Sequence, residues 1–194
     1  MMERFLIIGG CEKKKKNLLA RANFLEEKIP HSVYLYTSNL SPKPKQKMDI
    51  FKSYTGSLAL ADVQFIQELA LQMSLMLIGA DLGDDFDAKK ALLAIVNLPS
   101  PVIIEGDALM PELLRVYNHT KNNWLLLLEK DQDFTRVFQS AVADPDEMAQ
   151  KYKINFYYKR QYFIYQEGFF SLLKGVNFAE ELLSAAIAFY LDSR

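Results

Sequence analysis

The sequence predicts an α/β fold, a three-layer α/β/α sandwich on a mainly parallel sheet with an antiparallel hairpin at one edge. Three observations carry this. Short, wholly apolar runs such as FLII and WLLLL have the character of strands buried on both faces. Stretches with apolar residues at helical spacing alternate with them. Only beyond residue 153 does the chain become a series of aromatic segments broken by Lys-Arg and Glu-Gly.

Residues 5–8 are the first strand, closed by Gly9-Gly10. In 17–28, Leu18, Leu19, Ala22 and Leu25 recur with a helical period that continues to Ile29, and Pro30 stops it. Residues 32–37 (SVYLYT) form a second strand. Segment 41–47 (SPKPKQK) has two prolines and no apolar anchor, so an exposed, mobile loop is expected. A helix over 62–72, a strand over 74–78 and a turn over 79–83 follow, then a helix over 87–96. Strand 102–104, a short helix over 113–119 and strand 124–128 continue the alternation. Parallel strands need such crossovers, which coat both faces of the sheet. Asp144 and Pro145 suit the first turn of a helix over 145–152. The aromatic segment 154–173 reads as antiparallel strands with a hairpin turn at Glu167-Gly168, and an apolar helix over 179–191 ends the chain.

The 194 residues, half of them hydrophobic, suit a single domain over 1–194. With 23 basic against 24 acidic side chains, no surplus of cations exists to hold a phosphate backbone, so nucleic acid is not an expected partner. Cys11 is the sole cysteine, which excludes an intramolecular disulfide and fits a reducing cytoplasm. No apolar run reaches the ~20 residues of a membrane span, and the N-terminus lacks the pattern of a signal peptide. A soluble, cytoplasmic protein is expected.

In sheets of this type ligands bind beyond the carboxyl ends of the strands. That rule brings together Gly9 and Gly10, Asp81, Glu105 with Asp107, and Glu129 with Lys130. Glu105 and Asp107 stand two apart, so both project toward one crevice if the extended geometry persists. Paired acids there position a hydroxyl or a metal-bound phosphate. The alternative is that one caps the helix beginning near Pro111 and the other is solvated. The run IIGGCEKKKKN resembles a phosphate-binding loop but lacks the spacing of either common fingerprint, and its lysines read equally as a solvated rim. His31 and His119 have no partner at ligand spacing, so no metal site is expected, and no Gly-x-Ser-x-Gly elbow occurs. The aromatics between 156 and 170 suit a half-buried sheet face as well as base stacking.

Taken in order, FLIIGGCEKKKKNLLARANFL, LMLIGADLGDD, PVIIEGDALM, LLLEKDQDF and AQKYKINFYYKR resemble the ADP/ATP-dependent NAD(P)H-hydrate dehydratases, a family with the ribokinase-like fold related to carbohydrate kinases. The most specific of these is PVIIEGDALM, which resembles a strand ending Asp-Ala-Asp-Ala-Leu-Asn, and Gly83 falls in the turn that resembles Gly-Pro-Gly-Leu-Gly. The resemblance implies a shortened ribokinase-like sandwich and a nucleotide-dependent lyase or kinase-like phosphotransferase. Its ligands would be ADP or ATP with Mg2+ and a nicotinamide-type substrate. Asp107 would position the substrate hydroxyl, and Lys159 would lie near the nucleotide, with Lys130 and Asp133 in the segment preceding it.

The family's anion hole is a Gly-x-Gly-Asp turn. At the corresponding place this sequence has Asn177, Phe178, Ala179 and Glu180. Bare backbone makes such a turn work, so side chains there obstruct a phosphate, and Glu180 is left as a longer candidate base. Lys130, Asp131 and Gln132 replace a His-Pro-Gly segment, and Arg160 replaces a glycine. The reading is therefore a divergent relative with weakened or lost catalysis. The alternative is a pseudoenzyme, a binding or assembly protein that keeps the fold. Apolar residues on the last helix, Leu182, Leu183, Ile187, Phe189, Tyr190 and Leu191, predict a homo-oligomer.

Overall fold

A computed structural model describes residues 4–11, 16–28, 33–37, 48–53, 57–79, 81–82, 85–98, 101–118, 123–140, 142–159 and 161–165. The expectations for loop 41–47, Gly83, the Glu167-Gly168 turn, Glu180 and the helix over 179–191, with the oligomer built on it, lie outside these residues.

Among the described residues, eight strands form one sheet: β1 (Phe5–Ile8), β2 (Val33–Thr37), β3 (Asp49–Lys52), β4 (Leu75–Ile78), β5 (Val102–Glu105), β6 (Trp124–Leu128), β7 (Asn155–Tyr158) and β8 (Gln161–Phe163). Their order is β3-β2-β1-β4-β5-β6-β7-β8. Every pair from β3 to β7 is parallel, and β7 with β8 is antiparallel. The chain runs outward from β1 to β3 and then returns to place β4 on the other side of β1. The topological switch is thus between β1 and β4, where the connections diverge and a crevice opens at the carboxyl ends.

Among the described residues the α-helices are α1 (Lys16–Lys28), α2 (Val63–Ala70), α3 (Phe86–Ile95), α4 (Leu113–Val116), α5 (Asp131–Phe138) and α6 (Pro145–Tyr152). One face of the sheet packs Phe5, Ile7, Leu35, Leu77, Ile103 and Leu125 with Leu18, Ala22 and Leu25 of α1. The opposite face packs Leu6, Ile8, Met76, Ile104 and Leu126 against Ile66, Leu92, Phe134, Val137 and Met148 of the other crossovers. All residues of β1, β4, β5 and β6 are buried. Their unbroken apolar runs follow from a parallel sheet covered on both sides. This is the three-layer sandwich with a mainly parallel sheet and one antiparallel edge.

Local signals set the helix ends. Asp144 accepts from the Asp146 backbone N–H at 2.8 Å, with Pro145 opening α6. Asp85 does the same for α3, accepting from Asp87 at 3.1 Å. Gln139 and Lys153 terminate α5 and α6 in the left-handed region, φ 54° and 56°, without the usual glycine.

Several elements depart from the sequence reading. β3 and α5 were not legible, and the helix expected over 113–119 stops at Val116 because Tyr117 is extended, ψ 128°. INFYYKR is not part of an all-antiparallel ribbon: β7 lies parallel to β6, and the hairpin to β8 turns at Lys159, φ 48°. β6 offers an unbroken apolar edge to pair with, so the aromatic segment completes the parallel sheet before it folds back.

Tyr117 packs on Trp124 with ring centroids 4.8 Å apart, and Trp124 donates to the Val96 carbonyl at 2.9 Å. Burial first, and the neighbouring Tyr165 second, push the Tyr117 phenol up to about 12. A phenol that ionises near ~10 in the unfolded chain then holds its proton longer when folded. Its contribution to stability is complete below pH ~10 and is lost as pH rises through the folded value. Chemical denaturation at stepped alkaline pH should show this loss in wild type and a smaller one in Tyr117→Phe. Equal losses in both would sink the assignment.

Candidate functional site

The switch point is built on glycine. The Gly9 N–H donates to the Tyr36 carbonyl at 3.1 Å, and the Gly79 N–H donates to the Ile8 carbonyl, also at 3.1 Å. Gly10 takes φ 74° and Gly79 φ 131°, conformations that L side chains rarely adopt. A Cβ on Gly79 would collide with the Glu105 carbonyl oxygen and come within 2.9 Å of the Ala108 Cβ. The end of β4 can therefore approach the end of β5 and the turn after it this closely only because Gly79 is bare.

Asp81 sits just beyond, in the left-handed region at φ 57°. Its Oδ2 accepts from the backbone N–H groups of Asn17, 2.7 Å, and Leu18, 3.1 Å, and its Oδ1 accepts from Asn17 Nδ2 at 3.1 Å. The first turn of α1 thus holds a carboxylate from this chain. A phosphate following IIGGCEKKKKN would meet amides that Asp81 already engages.

Extended geometry does not persist past Glu105. Gly106 takes φ 52° and opens a short 3-10 turn, Gly106–Ala108. Glu105 shares a face with Ile103 and turns toward α1, where its carboxylate pairs with the Arg21 guanidinium. Glu105 is 0% exposed and Arg21 4%. Asp107 is half-buried and lines a cleft on the α3 and α5 side with Lys89 and Arg136. The two acids do not converge on one crevice, because a tight turn replaces the extended step that would have aligned them.

At the end of β6, the Lys130 N–H donates to Asp133 Oδ2 at 3.1 Å, so Asp133 closes the first turn of α5. Asp133 also lies 3.8 Å from Arg136, and Lys130 Nζ lies 3.9 Å from Glu129. Asp131 faces β7. It accepts from the Tyr158 hydroxyl at 2.6 Å and pairs with Lys159 Nζ at 3.0 Å. The Tyr158 hydrogen bond first, and Lys159 second, hold the Asp131 carboxyl below its usual range. Burial and then Asp131 raise the Tyr158 phenol, and Tyr158 and then Asp131 raise Lys159. Lys159 also stands over the Tyr158 ring, 4.9 Å from its centroid.

This cluster borders a cleft of about 520 Å³ whose lining includes Phe134, Tyr158 and Phe163 with Lys159 and Gln161. Phe134 and Tyr158 stack on each other with ring centroids 4.8 Å apart and are buried, which leaves Phe163 as the partly exposed ring of the three. The cleft can take a flat apolar group beside a cation. Among the described residues, no three His, Cys, Asp or Glu side chains gather as a metal site, and no helix is long and apolar enough to cross a membrane.

Arg21, Asp131 and Tyr158 were missed in the sequence. Arg21 had a signal: it occupies the position three after Leu18 and four before Leu25, a cation on an otherwise apolar stripe. Asp131 and Tyr158, 27 residues apart, meet only because β6 and β7 are neighbours.

No protein-family pattern and no curated protein matches the chain. Solved structures do. A hypothetical protein from Streptococcus mutans aligns at TM-score 0.59 and 15% identity, covering 81% of this chain and 59% of its own. A ribokinase-like superfamily protein from Enterococcus faecalis V583 aligns at 0.58 and 13%, covering 81% and 57%. An ADP/ATP-dependent NAD(P)H-hydrate dehydratase from Bacillus subtilis, co-crystallised with ATP/Mg2+ and soaked with CoA, aligns at 0.55 and 16%, covering 80% and 58%. The chain therefore spans less than two thirds of the length of these relatives. Strand order, the antiparallel edge and these alignments agree that the chain has the ribokinase-like fold.

Proposed function

We propose that this protein is a divergent relative of the ADP/ATP-dependent NAD(P)H-hydrate dehydratases that binds a nucleotide, with weakened or lost catalysis. The observation that carries the reading is the Asp131–Tyr158–Lys159 cluster beside an aromatic-walled cleft at the carboxyl ends of β6 and β7. Ligands of such sheets bind at that end. The donor set suits an adenine nucleotide: the half-buried Phe163, backed by the buried Phe134 and Tyr158, offers a base an apolar contact, and Lys159 offers a phosphate a cation positioned by Asp131. Asp107, at the end of β5, is assigned to a substrate hydroxyl, and Gly9 and Gly10 to the backbone wall of the crevice. Bound nucleotide with Mg2+ would supply the phosphoryl group, and no described acidic cluster is assigned to the metal. Weakened catalysis rests on Asn177, Phe178 and Ala179 standing where bare backbone would be needed, with Glu180 as the remaining carboxylate.

Thermal melting with ADP or ATP, each near millimolar with Mg2+, tests the reading. Nucleotide at about ten times its Kd adds roughly 1.4 kcal/mol, or a rise of about 3–5 °C for a chain of this size. Lys159→Met should reduce that rise. If neither nucleotide moves the wild-type melt, the reading fails, and a non-catalytic assembly role for the fold replaces it.

A further inference from the structure

A second cleft, of about 500 Å³, opens on the other side of the β5 end, between α3 and α5. Lys89 comes from α3, Arg136 from α5, Asp107 from the turn after β5 and Glu112 from the segment leading into α4. Leu109 and Met110, 1% and 4% exposed, form its apolar floor. Arg136 is held at this place from two sides: Nη1 donates to the Gly106 carbonyl at 3.4 Å, and Nη2 lies 3.8 Å from Asp133. Both contacts come from segments that the sheet positions, the turn after β5 and the first turn of α5, so the guanidinium and Asp107 border the same cleft.

We infer that this cleft is a binding site for a small hydroxylated anion, with Lys89 and Arg136 taking its phosphate or carboxylate and Asp107 accepting from its hydroxyl. The inference rests on the assignment of Asp107 to a substrate hydroxyl and adds the charge of the ligand. Two cations and two carboxylates line this concavity, and Asp133 adds a third carboxylate beside Arg136. A plain anion is therefore drawn by Lys89 and Arg136 but repelled by Asp107 and Glu112, and a neutral polyol engages the acids alone. A molecule with both groups on a short carbon frame satisfies both sets, and the fork of the guanidinium matches the paired oxygens of either anion. The floor of Leu109 and Met110 suits that carbon frame.

Calorimetric titration at fixed ionic strength, with inorganic phosphate, glycerol, glycerol 3-phosphate and glycerate, tests this. Glycerol 3-phosphate or glycerate should bind with a Kd of millimolar or tighter, at least about tenfold below phosphate or glycerol, and the pair identifies which anion the cations prefer. Lys89→Gln and Asp107→Asn should each weaken that ligand by about tenfold, the scale of one hydrogen bond to a charged group. Ligand-free melting curves of the variants report their folding. Saturation absent with both hydroxylated anions, or affinity unchanged in both folded variants, overturns the inference. A nucleotide shift with no hydroxylated-anion binding would defeat this site and leave the nucleotide reading standing. Hydroxylated-anion binding without a nucleotide shift would do the reverse.

Discussion

Gly79→Ala is expected to cost at least about 4 kcal/mol, which for a chain of this size lowers the melting temperature by roughly 10 °C or more. Two terms add. The backbone at φ 131° is strained for any residue with a Cβ. The new methyl would also have to displace the Glu105 main chain, which is fixed in the sheet between β4 and β6 and cannot swing aside as a side chain would. Gly106→Ala makes the control. Its φ is 52°, and the nearest atom to an added Cβ is the Gly79 carbonyl oxygen at 3.4 Å, an ordinary contact. That substitution should cost only about 1–2 kcal/mol, the usual penalty for a side chain in the left-handed region. Urea denaturation of the two variants separates collision from strain. Equal losses would mean that the β4–β5 junction accommodates a methyl and that Gly79 is no steric keystone.

The second large effect is at the Arg21–Glu105 pair, where two opposite charges are buried at the junction of α1 and β5. Arg21→Met should destabilise by about 3–5 kcal/mol, because it leaves a fully buried carboxylate without its cation. The double variant Arg21→Met with Glu105→Leu should recover most of that loss or exceed wild type, since desolvating two ions offsets much of what their attraction returns. The pair is thus expected to specify how α1 docks on the sheet more than to stabilise the fold. A double variant no more stable than Arg21→Met alone would show that the pair's geometry contributes beyond charge neutralisation. The same pair accounts for one of the two acids that end PVIIEGDALM: Glu105 belongs to the core between sheet and helix, and Asp107 to the surface on the other side.

The pattern of PVIIEGDALM shows how far sequence reasoning reached. The strand itself was plain, since three β-branched residues with a proline before and a glycine after have few other uses. The fate of its acids was not, because a single glycine at φ 52° decides whether successive side chains alternate in a strand or separate in a turn. Asp81 shows a similar limit. Its place after a strand was legible, but its engagement with the amides of Asn17 and Leu18 depends on α1 and β4 being brought together by the sheet.

By itself, the sequence determined what depends on neighbours along the chain: the buried parallel strands, from apolar runs of three to five residues; most of the helices, from their period and caps; and the general order of a ribokinase-like chain. The tertiary structure decided what depends on strand order. It brought Asp131 to Tyr158 and Lys159, set Arg21 against Glu105, and gathered Lys89, Arg136 and Asp107 around one cleft. The physical reason is one of range. Hydrophobic period and capping act within one or two turns, whereas a site is made of side chains from elements far apart in sequence, joined only when backbone hydrogen bonds select which strands are adjacent.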